Sequence, residues 1–135
     1  MDNQKTLTIE PGAWSPAASE YIARALVHAS PDEVRAQVDA GAALFYVKAD
    51  DVLIGCYVLR IDQTSTGREG VIVAAGGDYC GVDLIGVLLP KMEAQFTGVD
   101  RVRIHTSRAG MGKRLAAAGY RAKELVFSKD CHAVA

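Results

Sequence analysis

Polar and apolar residues alternate over residues 5–9 (KTLTI), and a period of two predicts a short first strand. The segment EPGAWSP interrupts regular structure. Ser15-Pro16 then reads as an N-cap followed by proline at the first helical position. Tyr21, Ile22, Ala25, Leu26 and Ala29 follow on one face at helical spacing. A second start signal is Ser30-Pro31-Asp32-Glu33. It has the form of a capping box, in which the Ser30 side chain accepts from the Glu33 N–H and Glu33 reaches back to the Ser30 N–H. Pro31 sits where its missing N–H is not needed, and Gly41 suits the residue just past the helix end.

The run LFYVKADDVLIGCYVLRI reads as two antiparallel strands joined by a tight turn around Ala49-Asp50-Asp51. After a polar loop, Gln63 to Gly67, the run REGVIVAAG has the near-continuous apolar character of a central strand. Gly76, Gly77 and Gly81 puncture the next turn. A helix is predicted from about Asp83 to Phe96, with Leu84, Val87, Leu88, Met92 and Phe96 as its apolar stripe. Pro90 conflicts with that helix, because it removes one hydrogen bond and its ring crowds the carbonyl of Gly86. DRVRIHTS predicts a strand, MGKRLAAA a short helix closed by Gly119, and YRAKELVFSK a final strand. The expected order is β-α-α-β-β-β-α-β-α-β over a single domain, residues 1–135. This is an α+β (α/β) class with a mixed, mostly antiparallel central sheet flanked by helices.

Composition adds little to that picture: 50% hydrophobic and 23% charged residues suit a globular protein rather than a disordered one. No apolar run reaches the ~18 residues of a membrane span, and MDNQKTLTIE lacks a basic stretch followed by an apolar one. A soluble, cytoplasmic protein without a membrane partner is therefore expected. Cys56, Cys80 and Cys131 form no CxxC, and with His28, His105 and His132 they make no zinc-like spacing, so reduced thiols and no metal are expected. Charge matters more. Residues 101–129 hold eight basic side chains against one acid, Glu124, while the rest of the chain holds seven basic and fifteen acidic residues. Such asymmetry suits either an anionic partner or two segments that neutralise each other.

The order of elements from REGVIVAAG onward, closing on RLAAAGYRAKELVFSK, resembles the GNAT superfamily of acyl-CoA-dependent N-acyltransferases over about residues 5–129. Gly119-Tyr120 takes the place of that family's glycine-phenylalanine before the last strand. The resemblance implies an acyl transfer from acetyl-CoA or a related thioester to a small-molecule or protein amine. It also implies that the main chain of Val71 and Val73 holds the pantetheine arm. The turn of Gly76, Gly77 and Gly81 would take the pyrophosphate at a helix N-terminus, with Arg108 and Lys113 supplying charge. In the family's phosphate motif this chain has Cys80, Asp83 and Ile85 where Gln or Arg, Gly and a small residue are usual. Leu115 stands where many members have a tyrosine acid.

Acyl transfer to an amine needs a base and, for the departing thiolate, an acid. Glu69 and His105 are the candidate bases and Tyr79 the candidate acid. Two other readings stay open. One is a GNAT-fold binding or assembly protein without CoA binding, which the departures at Asp83, Ile85 and Leu115 favour. The other is a nucleic-acid-associated protein using the basic residues 101–129. Few aromatics accompany those residues to stack bases, which argues against nucleic acid. Edge strands at the two ends of the chain would suit a homodimer.

Overall fold

The computed structural model describes residues 6–26, 29–78, 84–106 and 109–131, the side chains of residues 84, 85, 109 and 110 excepted. Strand β1 (Leu7–Pro11) leads into helices α1 (Pro16–Ala25) and α2 (Pro31–Asp39). Strands β2 (Ala43–Ala49), β3 (Val52–Thr64) and β4 (Gly67–Gly77) follow as consecutive hairpins. A π-helical turn (Leu84–Leu88) runs into α3 (Leu89–Gln95), and β5 (Arg101–Ile104) and α4 (Ala109–Ala117) complete the elements. The five strands lie side by side in chain order; β4 and β5 are parallel and every other pair is antiparallel.

Local chemistry explains most boundaries. The Ser15 hydroxyl accepts from the Ala18 N–H at 3.1 Å and Ser30 from the Glu33 N–H at 3.3 Å, so both serines cap as their sequence positions predict. The returning bond from Glu33 to Ser30 is not among the hydrogen bonds of the described residues. At the β2–β3 turn both Asp50 (φ 50°) and Asp51 (φ 67°) adopt left-handed backbone. Positive φ at both central positions is the geometry whose twist matches a hairpin. Pro90 is accommodated by a change of winding. The chain widens into the π-turn ahead of it, so that proline falls in the first turn of a fresh α-helix, where no N–H is required.

Two cores sandwich the sheet. On one face α1 and α2 bury Ala18, Ile22 and Val34 against Leu44, Cys56, Val58 and Ala74. On the other, Leu88, Leu89 and Met92 from the π/α3 segment and Leu115 of α4 pack on Val47, Tyr57, Leu59 and Ile72. Burial pushes the Cys56 thiol up to about 12, and it raises the Tyr57 phenol to about 12 against a hydrogen bond to Gln95.

The final strand expected over residues 120–129 is not formed. Residues 120–131 carry no regular secondary structure, and Leu125, Val126 and Phe127 are 81%, 80% and 89% exposed. A strand exists only where its backbone groups pair with a neighbour; alternation supplies two faces but no partner.

Candidate functional site

The parallel ladder between β4 and β5 is short. It runs from Glu69↔Arg101 to Ile72↔Ile104 and stops, while β4 continues to Gly77, still paired with β3 as far as Gly55. Among the described residues no strand lies along the β5-facing side of residues 73–77. At the same point β4 is bulged: Val58 pairs with Ala74 and Leu59 with Ile72, which leaves Val73 as the inserted residue. A bulge removes one residue from the ladder and bends the strand. The two strands therefore separate at their C-terminal ends, and the chain enters the π-turn at Leu84, a few residues past the end of β4.

Of the two valines whose main chain was expected to hold the pantetheine arm, Val71 lies inside the sheet, paired on both sides with Arg60 of β3 and Arg103 of β5. Val73 lies one step beyond the last β4–β5 pair and is half-buried. Gly76 is buried against α1. A Cβ built there would meet the Tyr21 carbonyl oxygen at 1.9 Å, so its hydrogen side chain is what lets the helix backbone sit on the strand. Gly77, the last residue of β4, is half-buried and pairs with Gly55. Lys113 projects from α4 and is exposed. Tyr79, Gly81 and Arg108 lie outside the described residues, as do Cys80 and Asp83 of the phosphate motif. Leu115, at the position of the usual tyrosine acid, is a core residue, 7% exposed.

Glu69 and His105 are not brought together. Glu69 opens the β4–β5 ladder, whereas His105 follows the end of β5, four residues past Glu69's partner Arg101 and so about 13 Å along the strand. Glu69 is 9% exposed, and each of its carboxylate oxygens meets a guanidinium. Arg101 Nε donates to Oε2 at 2.9 Å, and Arg103 Nε lies 3.3 Å from Oε1 without hydrogen-bond alignment. Arg101 also donates to the Thr64 and Thr66 hydroxyls, both at 2.8 Å. Asp62 joins from β3. It accepts from Arg60 Nε at 2.7 Å and Nη2 at 2.9 Å, and from Arg103 Nη2 at 3.4 Å. The hydrogen bond from Arg60 is the main cause holding the Asp62 carboxyl below its ordinary range. Arg60 is anchored in turn on Gln37 of α2.

This net of three arginines and two acids clamps β3, β4 and β5 together at the closed end of the ladder. Alternation along β5 puts His105 on the same face as Arg101 and Arg103, next to the open end and exposed. Residue-type reasoning proposed Glu69 as a base and missed the clamp. The signal was present in sequence: a period of two in Arg60/Asp62 and Arg101/Arg103 places each pair on one sheet face.

A cleft of about 490 Å³ opens elsewhere, beside the start of β2, where β3 runs on past its pairing with Ala43; it is lined by Gln37, Ala43, Arg60, Asp62, Gln95 and Phe96. Asp62 pairs with Glu69, eight residues before Gly77, so this cleft lies about 26 Å along the sheet from the end of β4. Among the described residues no group of His, Cys, Asp and Glu is placed to hold a metal ion, and no helix is long and apolar enough to cross a membrane.

No family model and no curated protein matches the sequence. Solved structures do match the fold. An acetyltransferase from Trypanosoma brucei superposes with a TM-score of 0.65 at 18% identity, covering 93% of this chain and 99% of that one. A Bacillus subtilis acetyltransferase in complex with CoA gives 0.65 at 17% identity, over 88% of this chain and 79% of that one. A GNAT family acetyltransferase from Elizabethkingia anophelis with acetyl-CoA bound gives 0.61 at 23% identity, over 87% of this chain and 78% of that one. A five-stranded, mostly antiparallel sheet flanked by helices is thus the architecture the chain shares with these proteins, and it has the GNAT fold.

Proposed function

We propose that this protein is an N-acyltransferase that takes acetyl-CoA, or a related thioester, at the opening between β4 and β5 and passes the acyl group to an amine. The observation that carries the reading is the bulge at Val73 coinciding with the end of the β4–β5 ladder. An extended chain of amides such as pantetheine hydrogen-bonds as a strand does, and among the described residues no strand lies on the β5-facing side of β4 from Val73 to Gly77. The bulged residue's backbone groups are released from the ladder, which suits binding of a thioester carbonyl as its oxygen gains charge. When bound, the thioester supplies an electrophilic carbonyl whose C–S bond breaks as the new C–N bond forms. His105, exposed just past the end of β5, would receive the proton leaving the amine. Glu69 holds the strands in register through Arg101 and Arg103. Lys113 would carry part of the phosphate charge.

The test is calorimetric titration with acetyl-CoA and with free CoA. Micromolar binding that disappears in Gly77→Val supports the reading, and an amine-acceptor screen with wild type and His105→Ala then follows. A second reading, a binding module that kept the fold without the chemistry, is favoured by Leu115, whose place in the core leaves no tyrosine there to act as acid. Absence of any heat or thermal shift at millimolar CoA would decide for it.

A further inference from the structure

Strand β3 outruns its neighbour. Its pairing with β2 ends at Leu59, opposite Ala43, while it continues to Thr64 paired with β4. Among the described residues no strand lies on the β2 side of residues 60–64. In an antiparallel sheet every second residue turns its N–H and C=O to a given side, so this stretch presents a row of them outward. The cleft of about 490 Å³ lies along this edge. Its walls come from opposite faces of the sheet. Gln37 and the turn of residues 40–42 stand on the α2 side, and Gln95 and Phe96, where α3 ends, on the other.

The two walls differ in chemistry, and alternation along β3 gives each its residues. Ile61 follows Tyr57 and Leu59 onto the α3 side. It pairs with Gly70, and the Phe96 ring covers that glycine so closely that a Cβ there would lie 2.7 Å from it. Ile61 lines the cleft and remains 42% exposed, an apolar surface beside Phe96 that nothing in the described chain covers. Arg60 and Asp62 take the α2 side. Arg60 donates through Nε and Nη2 to Asp62 and through Nη1 to Gln37, which leaves its remaining terminal N–H groups for another acceptor. The clamp around it sets Arg60, Arg101 and Arg103 against Asp62 and Glu69, a surplus of one positive charge.

We propose that this edge is the docking site for an extended peptide segment of a partner protein, which adds a short strand along residues 60–64. Main-chain hydrogen bonds to the edge hold the segment, and its alternate side chains reach the two walls. An apolar side chain lies beside Ile61 and Phe96, and an acidic one turns toward Arg60. A main chain carries donors and acceptors at the repeat of the edge, and only alternating side chains meet both faces of a sheet at once. A slip of one residue would set the acid against Phe96 and the apolar group on the guanidinium, so the walls fix the register. The site lies at the far end of the sheet from the β4–β5 opening and does not depend on acyl transfer.

Amide shifts of the isotope-labelled full chain, followed by NMR as peptide is added, test this. The probe is acetyl-Thr-Val-Glu-Val-Thr-amide, and two companions carry lysine for the glutamate or serine for both valines. The expected result is saturable shifts confined to residues 60–64 and the cleft walls, with slower deuterium exchange at the edge. The lysine peptide should bind about fivefold more weakly, and the serine peptide should not bind measurably up to roughly 5 mM. Ile61→Asp, at an exposed position, should abolish binding of the valine–glutamate peptide with the rest of the spectrum unchanged. Arg60→Gln should erase the preference for glutamate over lysine. No saturable shift from the valine–glutamate peptide overturns the proposal. So does binding that survives Ile61→Asp, or a serine peptide that binds equally well. Edge shifts that appear on concentrating the protein alone would give the edge to a second copy, and overturn it too.

Discussion

Replacing Gly76 by alanine is the substitution that most sharply separates a packing glycine from a phosphate-binding one. The added Cβ would lie 1.9 Å from the Tyr21 oxygen, 2.6 Å from its carbonyl carbon and 3.3 Å from the Ile22 Cα, all backbone atoms of α1. No rotamer change relieves a clash with backbone. Helix α1 must retreat by more than 1 Å to restore an ordinary contact, and Ala18 and Ile22, both fully buried, lose packing as it does. Overpacking typically costs about 1–3 kcal/mol, and a backbone obstacle belongs at the upper end. For a domain of this size about 3 kcal/mol corresponds to a fall in Tm of roughly 10 °C. Differential scanning calorimetry reads that fall, and titration with CoA on the same sample below its transition reads binding. An unchanged Tm would refute the seating of α1 on Gly76. An unchanged Tm together with lost CoA binding would return Gly76 to the phosphate turn.

Gly112 is the opposite case: it lies within α4 with open space where a Cβ would go, so Gly112→Ala should stabilise by about 0.5–1 kcal/mol, read as a raised Tm. Asp62→Asn tests the clamp by acid titration. The folded carboxyl titrates below its ordinary 3.8, so its stabilising contribution is complete above that pH and is lost as pH falls below it. Wild type should therefore lose stability on acidification below about pH 3.8 more steeply than the variant, and parallel acid limbs would contradict the Arg60–Asp62 account. Alkylation of the native protein followed by peptide mass mapping should modify Cys131, which is exposed, and spare Cys56. Burial has driven the Cys56 thiol to about 12, so equal labelling would mean the α1 side of the sheet is open.

Much of the fold is legible in sequence because its local rules are strong. Serine followed by proline marks both helix starts, and each serine makes its cap bond. The apolar run VIVAA lies in β4, an interior strand paired with β3 on one side and β5 on the other. What alternation cannot specify is a partner. LVF reads as strand over 125–127, yet among the described residues no neighbour pairs with it. Pro90 shows a different limit, since residue spacing exposes the conflict but not its solution by a π-turn. At the site, glycine and carboxylate types suggested phosphate binding and base catalysis. Burial and partners give Gly76 a helix to accommodate and Glu69 two arginines to hold, and neither was visible before the strands were placed side by side.

The sheet's strand order has a consequence for how the molecule assembles. Strands β2, β3 and β4 are joined by two tight hairpins, so their contacts close over short loops and form cheaply. Strands β1 and β5 reach the same sheet only after long excursions through helices. The meander is therefore expected to form first and open last, with β5, whose ladder to β4 spans four residues, joining after it. Amides of Arg101 to Ile104 should exchange with deuterium well before those of Cys56 to Leu59; equal protection would mean the sheet opens only as a whole. The wedge between β4 and β5 would then be the last part of the protein to be made and the first to be undone.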